Sequence, residues 1–134
     1  MTPAPPGLPK ILIVDDDALS CNILKRLLDM TELYTAISET DSTHALAVAI
    51  ETAPDIVLLD IVMPQIDGPT LARLIREQPG LGDIPVIYIS GVLPAQSPEL
   101  RSRVGDFPFI PKPIDFPILL DQIAKIIATS APGN

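Results

Sequence analysis

Ile11-Leu12-Ile13-Val14-Asp15-Asp16-Asp17 is an apolar run that passes straight into a cluster of acids. Two later segments have the same form. Ile56-Val57-Leu58-Leu59 ends on Asp60, and Phe109-Ile110-Pro111 ends on Lys112. A strand buried on both faces reads as an unbroken apolar run, the mark of a parallel sheet covered by helices. Open sheets of this kind place their sites just past the carboxyl ends of the strands. As strands of one sheet, the runs bring carboxylates and an ammonium to a single edge. That inventory suits a divalent cation beside a nucleophilic aspartate.

Pro and Gly divide the rest of the chain into strand–helix units. The first strand spans Lys10 to Val14, and its helix starts near Asp17 with Leu19, Ile23, Leu24, Leu27 and Leu28 on the expected inner face. A short second strand is expected over Tyr34 to Ser38. Its helix, Ser42 to Thr52, would turn Leu46, Ala49 and Ile50 inward and stop before Pro54. The third strand is Ile56 to Asp60, followed by a loop with Pro64 and Gly68 and a helix from Pro69 to Glu77 carrying Leu71, Leu74 and Ile75. Val86 to Ser90 reads as the fourth strand. Its helix is confined to Pro98 to Val104 because Gly91, Pro94 and Pro98 crowd its start. The fifth strand is Phe109 to Pro111, and a helix over Asp115 to Ala128 sets Leu119, Leu120, Ile123, Ile126 and Ile127 inward. Alternation of this kind predicts an α/β fold, a single (βα)5 doubly wound parallel sheet with right-handed crossovers. The domain is expected over 10–128, with a Pro-rich tail or linker at 1–9 and a small polar tail at 129–134.

Composition narrows the functions open to the chain. Its 134 residues suffice for one core, and a hydrophobic fraction of 47% with 19% charged residues is that of a globular protein. A formal net charge of −8 argues against direct nucleic-acid binding, which needs Lys and Arg for phosphate contacts. No apolar stretch approaches a membrane span, and the first residues lack the pattern of a secretory signal. Cys21, the only cysteine, fits a reducing cytoplasm and a packing role, and His44, the only histidine, has no motif around it.

Adjacent acids after the first strand repel one another unless water or a cation intervenes. Mg²⁺ is the natural cation, being hard and satisfied by one or two carboxylates, waters and a phosphate. Asp60 on a neighbouring strand can act as ligand and as nucleophile towards a phosphoryl group. Asp17 is expected only to cap the first helix. Ser90 ends the fourth strand, where its hydroxyl can meet a phosphoryl oxygen, and Lys112 ends the fifth, where it can neutralise transferring charge.

The ordered set of Ile11-Leu12-Ile13-Val14-Asp15-Asp16-Asp17, Leu58-Leu59-Asp60-Ile61-Val62-Met63-Pro64 with Gly68, Ile84-Pro85-Val86-Ile87-Tyr88-Ile89-Ser90-Gly91 and Phe109-Ile110-Pro111-Lys112-Pro113 resembles the receiver domain of bacterial two-component response regulators. The resemblance covers about Lys10 to Ala128 and implies a flavodoxin-like strand order, 2-1-3-4-5. It also implies that Asp60 accepts a phosphoryl group from a sensor histidine kinase or a histidine phosphotransfer protein. Mg²⁺ would be held by Asp15, Asp16, Asp60 and the backbone carbonyl of Val62. Ser90 and Lys112 would bind phosphoryl oxygens, Phe109 stands at the switch-aromatic position, and a downstream protein effector would read the result.

Several residues depart from the family pattern. Gly91 stands where the family often has Ala, and its smaller bulk either admits water or a partner more easily or only loosens the loop. The apolar Val62 and Val92 offer no side chain to orient an attacking water, so the aspartyl phosphate is expected to hydrolyse slowly. Prolines around the fourth helix and fifth strand argue against dimerisation through that face. A turnover phosphatase of the aspartyl-nucleophile type needs a second acid two residues after the nucleophile, where Val62 stands. A flavin module needs a phosphate-binding loop where Asp15 to Asp17 would repel it. The remaining alternative is a phosphorylation-independent interaction module with the same fold.

Overall fold

Every second residue along the central strands points to the opposite face, and the computed structural model shows two apolar layers built from that alternation. It describes residues 7–91, 97–105 and 107–130. Expectations placed on Val92 and Pro94, and on tail residues 1–6 and 131–134, lie outside the described residues. The strands are β1 (Lys10–Val14), β2 (Thr35–Glu39), β3 (Ile56–Asp60), β4 (Val86–Ser90) and β5 (Phe109–Pro111). The helices are α1 (Ala18–Met30), α2 (Ser42–Thr52), α3 (Gly68–Arg76), α4 (Pro98–Val104) and α5 (Phe116–Ser130). All pairings are parallel, in the order β2-β1-β3-β4-β5, as expected.

Ile11, Ile13, Ile56, Leu58, Ile87, Ile89 and Ile110 meet α1 and α5 on one face. Leu12, Val14, Val57, Leu59, Val86 and Tyr88 meet α2, α3 and α4 on the other. Residues of β3 and β4 are buried throughout, which explains their unbroken apolar runs. Each such aliphatic side chain contributes roughly 1.5–3 kcal/mol when fully buried.

Some expected inner faces are corrected. In α1 the buried residues are Cys21, Leu24 and Leu28, whereas Leu19, Ile23 and Leu27 are exposed. The helix carries two apolar stripes, about 140° apart at 100° per residue, and spacing ranks them equally. The turn at Asp17 selects the phase by setting Cys21 Sγ 3.4 Å from the Asp15 carbonyl oxygen. In α2, Ala45 and Ala49 are buried and Leu46 is half-buried, while Ile50 faces solvent; the small residues let the helix approach the sheet closely. Strand β2 begins at Thr35, whose N–H bonds to the Pro9 carbonyl at 2.9 Å, one residue later than expected. Helix α5 runs two residues past the expected Ala128. Among the described residues no helix is long and apolar enough to cross a membrane.

Candidate functional site

Strands β1 and β3 are neighbours in register, with Val14 opposite Leu59, so Asp15 emerges beside Asp60 at one edge. Asp15 and Asp60 are buried, whereas Asp16 is exposed. One carboxylate oxygen from each of Asp15, Asp16 and Asp60 lies within 4.8 Å of the others. Strand β5 brings Lys112 to the same edge. Its Nζ donates to Asp15 Oδ2 at 2.8 Å and lies 3.5 Å from Asp60 Oδ2.

Charge crowding sets the acid–base state of the pocket. Burial, reinforced by the neighbouring Asp15 charge, pushes the Asp60 carboxyl up to about 6, against the opposing pull of Lys112. Partial burial works against the Lys112 ammonium, but its hydrogen bond to Asp15 and the charges of Asp60 and Asp15 hold it above its ordinary value. The pocket therefore has one bridging cation and more carboxylate than that cation balances.

Asp17 does not join the cluster. Its side chain accepts from the Leu19 N–H and the Ser20 hydroxyl, capping α1 as expected, and its own N–H donates to Asp15 Oδ1 at 2.9 Å. That last bond orients Asp15. Ser90 is buried at the end of β4, and its carbonyl accepts from the Lys112 N–H at 3.0 Å, tying the two strand ends together. The Lys112–Pro113 peptide is cis. Val62 is exposed, and its backbone N–H donates to the Asp60 carboxylate. Phe109 is half-buried and packs on the layer that includes Tyr88 and Val104.

The loop after Asp60 is held from several sides. Gly68 donates its N–H to the Ile61 carbonyl at 2.8 Å, and a Cβ there would overlap the Asp60 carbonyl oxygen. The need for glycine at 68 is therefore space, not an unusual backbone angle; the positive φ in this loop belongs to Gln65, at 66°. A Cβ at Gly91 would meet nothing within 4 Å. Ser42 is a support the sequence reading missed: its hydroxyl donates to the Pro64 carbonyl at 2.8 Å across 22 residues. Only its place at a helix start distinguishes it in the sequence. Arg103 on α4 likewise reaches Asp67, the N-cap of α3, at 2.6 Å. His44 is exposed in the first turn of α2.

The pattern described as the response regulator receiver domain matches residues 11–124. The response regulator PleD of Caulobacter vibrioides is 33% identical over 118 residues, covering 87% of this chain but 26% of PleD. The chain thus spans about a quarter of that relative's length. The polar-differentiation response regulator DivK of Brucella anthropi is 28% identical over 121 residues, covering 90% of this chain and 98% of DivK. Among solved structures, the receiver domain of a signal transduction histidine kinase from Syntrophus aciditrophicus superposes with a TM-score of 0.81 at 27% identity, covering 94% and 95% of the two chains. With the strand order, the acidic trio and Lys112 already in place, these likenesses lead to one conclusion: the chain belongs to the response regulator receiver domain family of two-component signalling.

Proposed function

We propose that Asp60 accepts a phosphoryl group from a phosphohistidine on a sensor kinase or a histidine phosphotransfer protein, and that the modified domain binds a downstream protein effector. A receiver domain is a signalling module, not a turnover enzyme. The observation that carries the reading is the position of Asp60, a buried carboxylate with Asp15 and Asp16 beside it and the Lys112 ammonium on the same edge. In the transfer, an Asp60 oxygen forms a bond to phosphorus as the P–N bond of the donor breaks. The bonding pair leaves on the imidazole nitrogen.

The donor set fits Mg²⁺, since all the ligands are hard oxygens and the exposed Asp16 leaves the ion room to keep waters. Asp15, Asp16, Asp60 and the Val62 carbonyl would hold it, and it would supply charge neutralisation for an incoming phosphate. Lys112, already aimed at Asp60, offsets the repulsion between carboxylate and phosphoryl oxygens. Fixed strand ends supply the positioning on which such transfers depend. The product adds nearly two negative charges and new acceptor oxygens. Ser90 and Lys112 would donate to those oxygens, and Phe109, paired opposite Tyr88 on the neighbouring strand, would register their movement. A cytoplasmic setting follows from the phosphohistidine donor and fits a single buried thiol, Cys21.

The test is incubation with acetyl phosphate and Mg²⁺. A base-labile phosphoryl label is expected on the native chain and absent from Asp60→Asn. Failure of the native chain to label, or equal labelling of the variant, overturns the assignment and favours an interaction module that works without phosphorylation.

A further inference from the structure

Helix α2 is seated on the sheet by a face of small buried residues, Ser42, Ala45 and Ala49. Asp41 caps the helix by accepting from the Thr43 N–H, so the Ser42 hydroxyl is not spent on the terminus it belongs to. It reaches instead into the loop that follows Asp60. There it donates to the Pro64 carbonyl at 2.8 Å and accepts from the Ile66 N–H at 3.4 Å. Those two partners flank Gln65.

Gln65 is the strained point of that loop. Its φ is 66°, and the Ile66 N–H donates to the Pro64 carbonyl at 2.8 Å, closing a turn of three residues. A γ-turn with positive φ at its centre is the rare, strained form. Such a conformation persists only where its surroundings over-determine it. Pro64 and Gln65 are exposed, so packing does not hold the crest of the loop. Ser42 does: a single buried oxygen binds the peptide groups on both sides of the strained residue.

The same loop carries Val62, whose N–H donates to the Asp60 carboxylate. A carboxylate side chain can rotate to meet a cation. A backbone carbonyl cannot, because the dihedrals of the chain around it set where it stands. Mg²⁺ demands near-octahedral ligands at about 2.0–2.1 Å, so a small drift of such a ligand costs affinity. We propose that Ser42 is a positioning residue for the divalent cation: by clamping the turn at Gln65, it fixes the segment that carries Val62 and the carbonyl offered to Mg²⁺. The proposal rests on the reading of the carboxylate pocket as a Mg²⁺ site. Ser42 acts through the loop, not through contact with the ion.

The test is a Mg²⁺ titration of the full chain, followed by calorimetry and by amide NMR. Ser42→Ala removes only the hydroxyl, and the Pro64 carbonyl keeps its bond from the Ile66 N–H, so the fold is retained. It is expected to weaken Mg²⁺ binding about fivefold, equivalent to ~1 kcal/mol. Ile123→Val, a core truncation that costs stability far from the loop, should bind Mg²⁺ as the native chain does. Gln65→Gly added to Ser42→Ala should restore affinity to within about twofold of native, because Gly takes positive φ without strain. Labelling of Ser42→Ala by acetyl phosphate should slow at limiting Mg²⁺ and match the native rate at saturating Mg²⁺. Native affinity in Ser42→Ala, an equal loss in Ile123→Val, or no recovery with Gln65→Gly overturns the proposal and leaves the metal site standing. A native chain that binds no Mg²⁺ overturns both, so the two failures are told apart.

Discussion

Replacing Asp60 with Asn should stabilise the metal-free domain at neutral pH, although it removes the proposed phosphoacceptor. Burial and the Asp15 charge hold the Asp60 carboxyl at about 6, against 3.8 as the ordinary value. A shift near two pKa units corresponds to about 3 kcal/mol of destabilisation when the group is ionised. That shift already contains the opposing pull of Lys112, which keeps its 2.8 Å bond to Asp15 in the variant. The two amide N–H groups of Asn, however, need acceptors that a neutral carboxyl does not, which returns a fraction of the gain. The expected net gain is therefore about 2 kcal/mol. The sign with pH follows from linkage. Between about 4 and 6 the folded state holds the Asp60 proton more tightly than the unfolded chain, so the contribution of this group to stability falls as pH rises through that window. Asn carries no such dependence. Urea denaturation in EDTA at pH 4 and pH 7.5 measures both ends: the two proteins should agree at the acid end and separate by about 2 kcal/mol at the neutral end. Added Mg²⁺ should narrow the gap by stabilising the native pocket. An Asn variant less stable at pH 7.5, or a difference that does not change between the two pH values, refutes the argument.

Gly68→Ala should cost about 3 kcal/mol in chemical denaturation, because its Cβ meets a backbone oxygen that cannot rotate away, whereas Gly91→Ala should fall within about 0.5 kcal/mol of the native chain. Lys112→Met should lower stability by about 2 kcal/mol through loss of a charged hydrogen bond to Asp15 and should slow labelling by acetyl phosphate. The Cys21 thiol, pushed up to about 11 mainly by burial, should resist iodoacetamide at pH 8 until the chain is unfolded; stoichiometric modification of folded protein would contradict its placement. The label on Asp60 should decay slowly, and Val62→Gln should shorten its lifetime by offering an amide that can orient water. Equal decay in the two proteins would remove that role from the exposed position.

The strands that carry the site were legible because each has the composition of a doubly buried parallel strand and a charged residue at its end. Parallel pairing in register then makes Asp15, Asp60 and Lys112 neighbours, so knowledge of strand ends amounts to knowledge of the pocket. Helix faces were less legible. Two apolar stripes on α1 satisfy the same spacing rule, and the choice between them rests on the Asp17 turn and on Cys21 lying against the Asp15 carbonyl. Tyr34 looks like strand because aromatic residues favour sheets, yet it is buried just before the first paired residue of β2. The Ser42–Pro64 bond was out of reach, since it depends on how separate helices settle on the sheet. No local spacing encodes that.

The order in which the pocket's groups leave the ribosome adds a timing to its chemistry. Asp15 and Asp60 precede Lys112 by 97 and 52 residues, so the carboxylates are synthesised well before the ammonium that bridges them. At about 5–20 residues per second, the interval between Asp60 and Lys112 is roughly 3–10 s. During it a nascent chain holds acids whose mutual repulsion opposes closing the edge, and β4 still waits for β5. Arrival of Lys112 turns that repulsion into attraction just as the last strand pairs. Closure of the edge therefore comes late in synthesis, with α5 and its core residues Leu119 and Ile123 still to be added. On the proposed function, a chain that ends before Lys112 lacks a cation its donor needs.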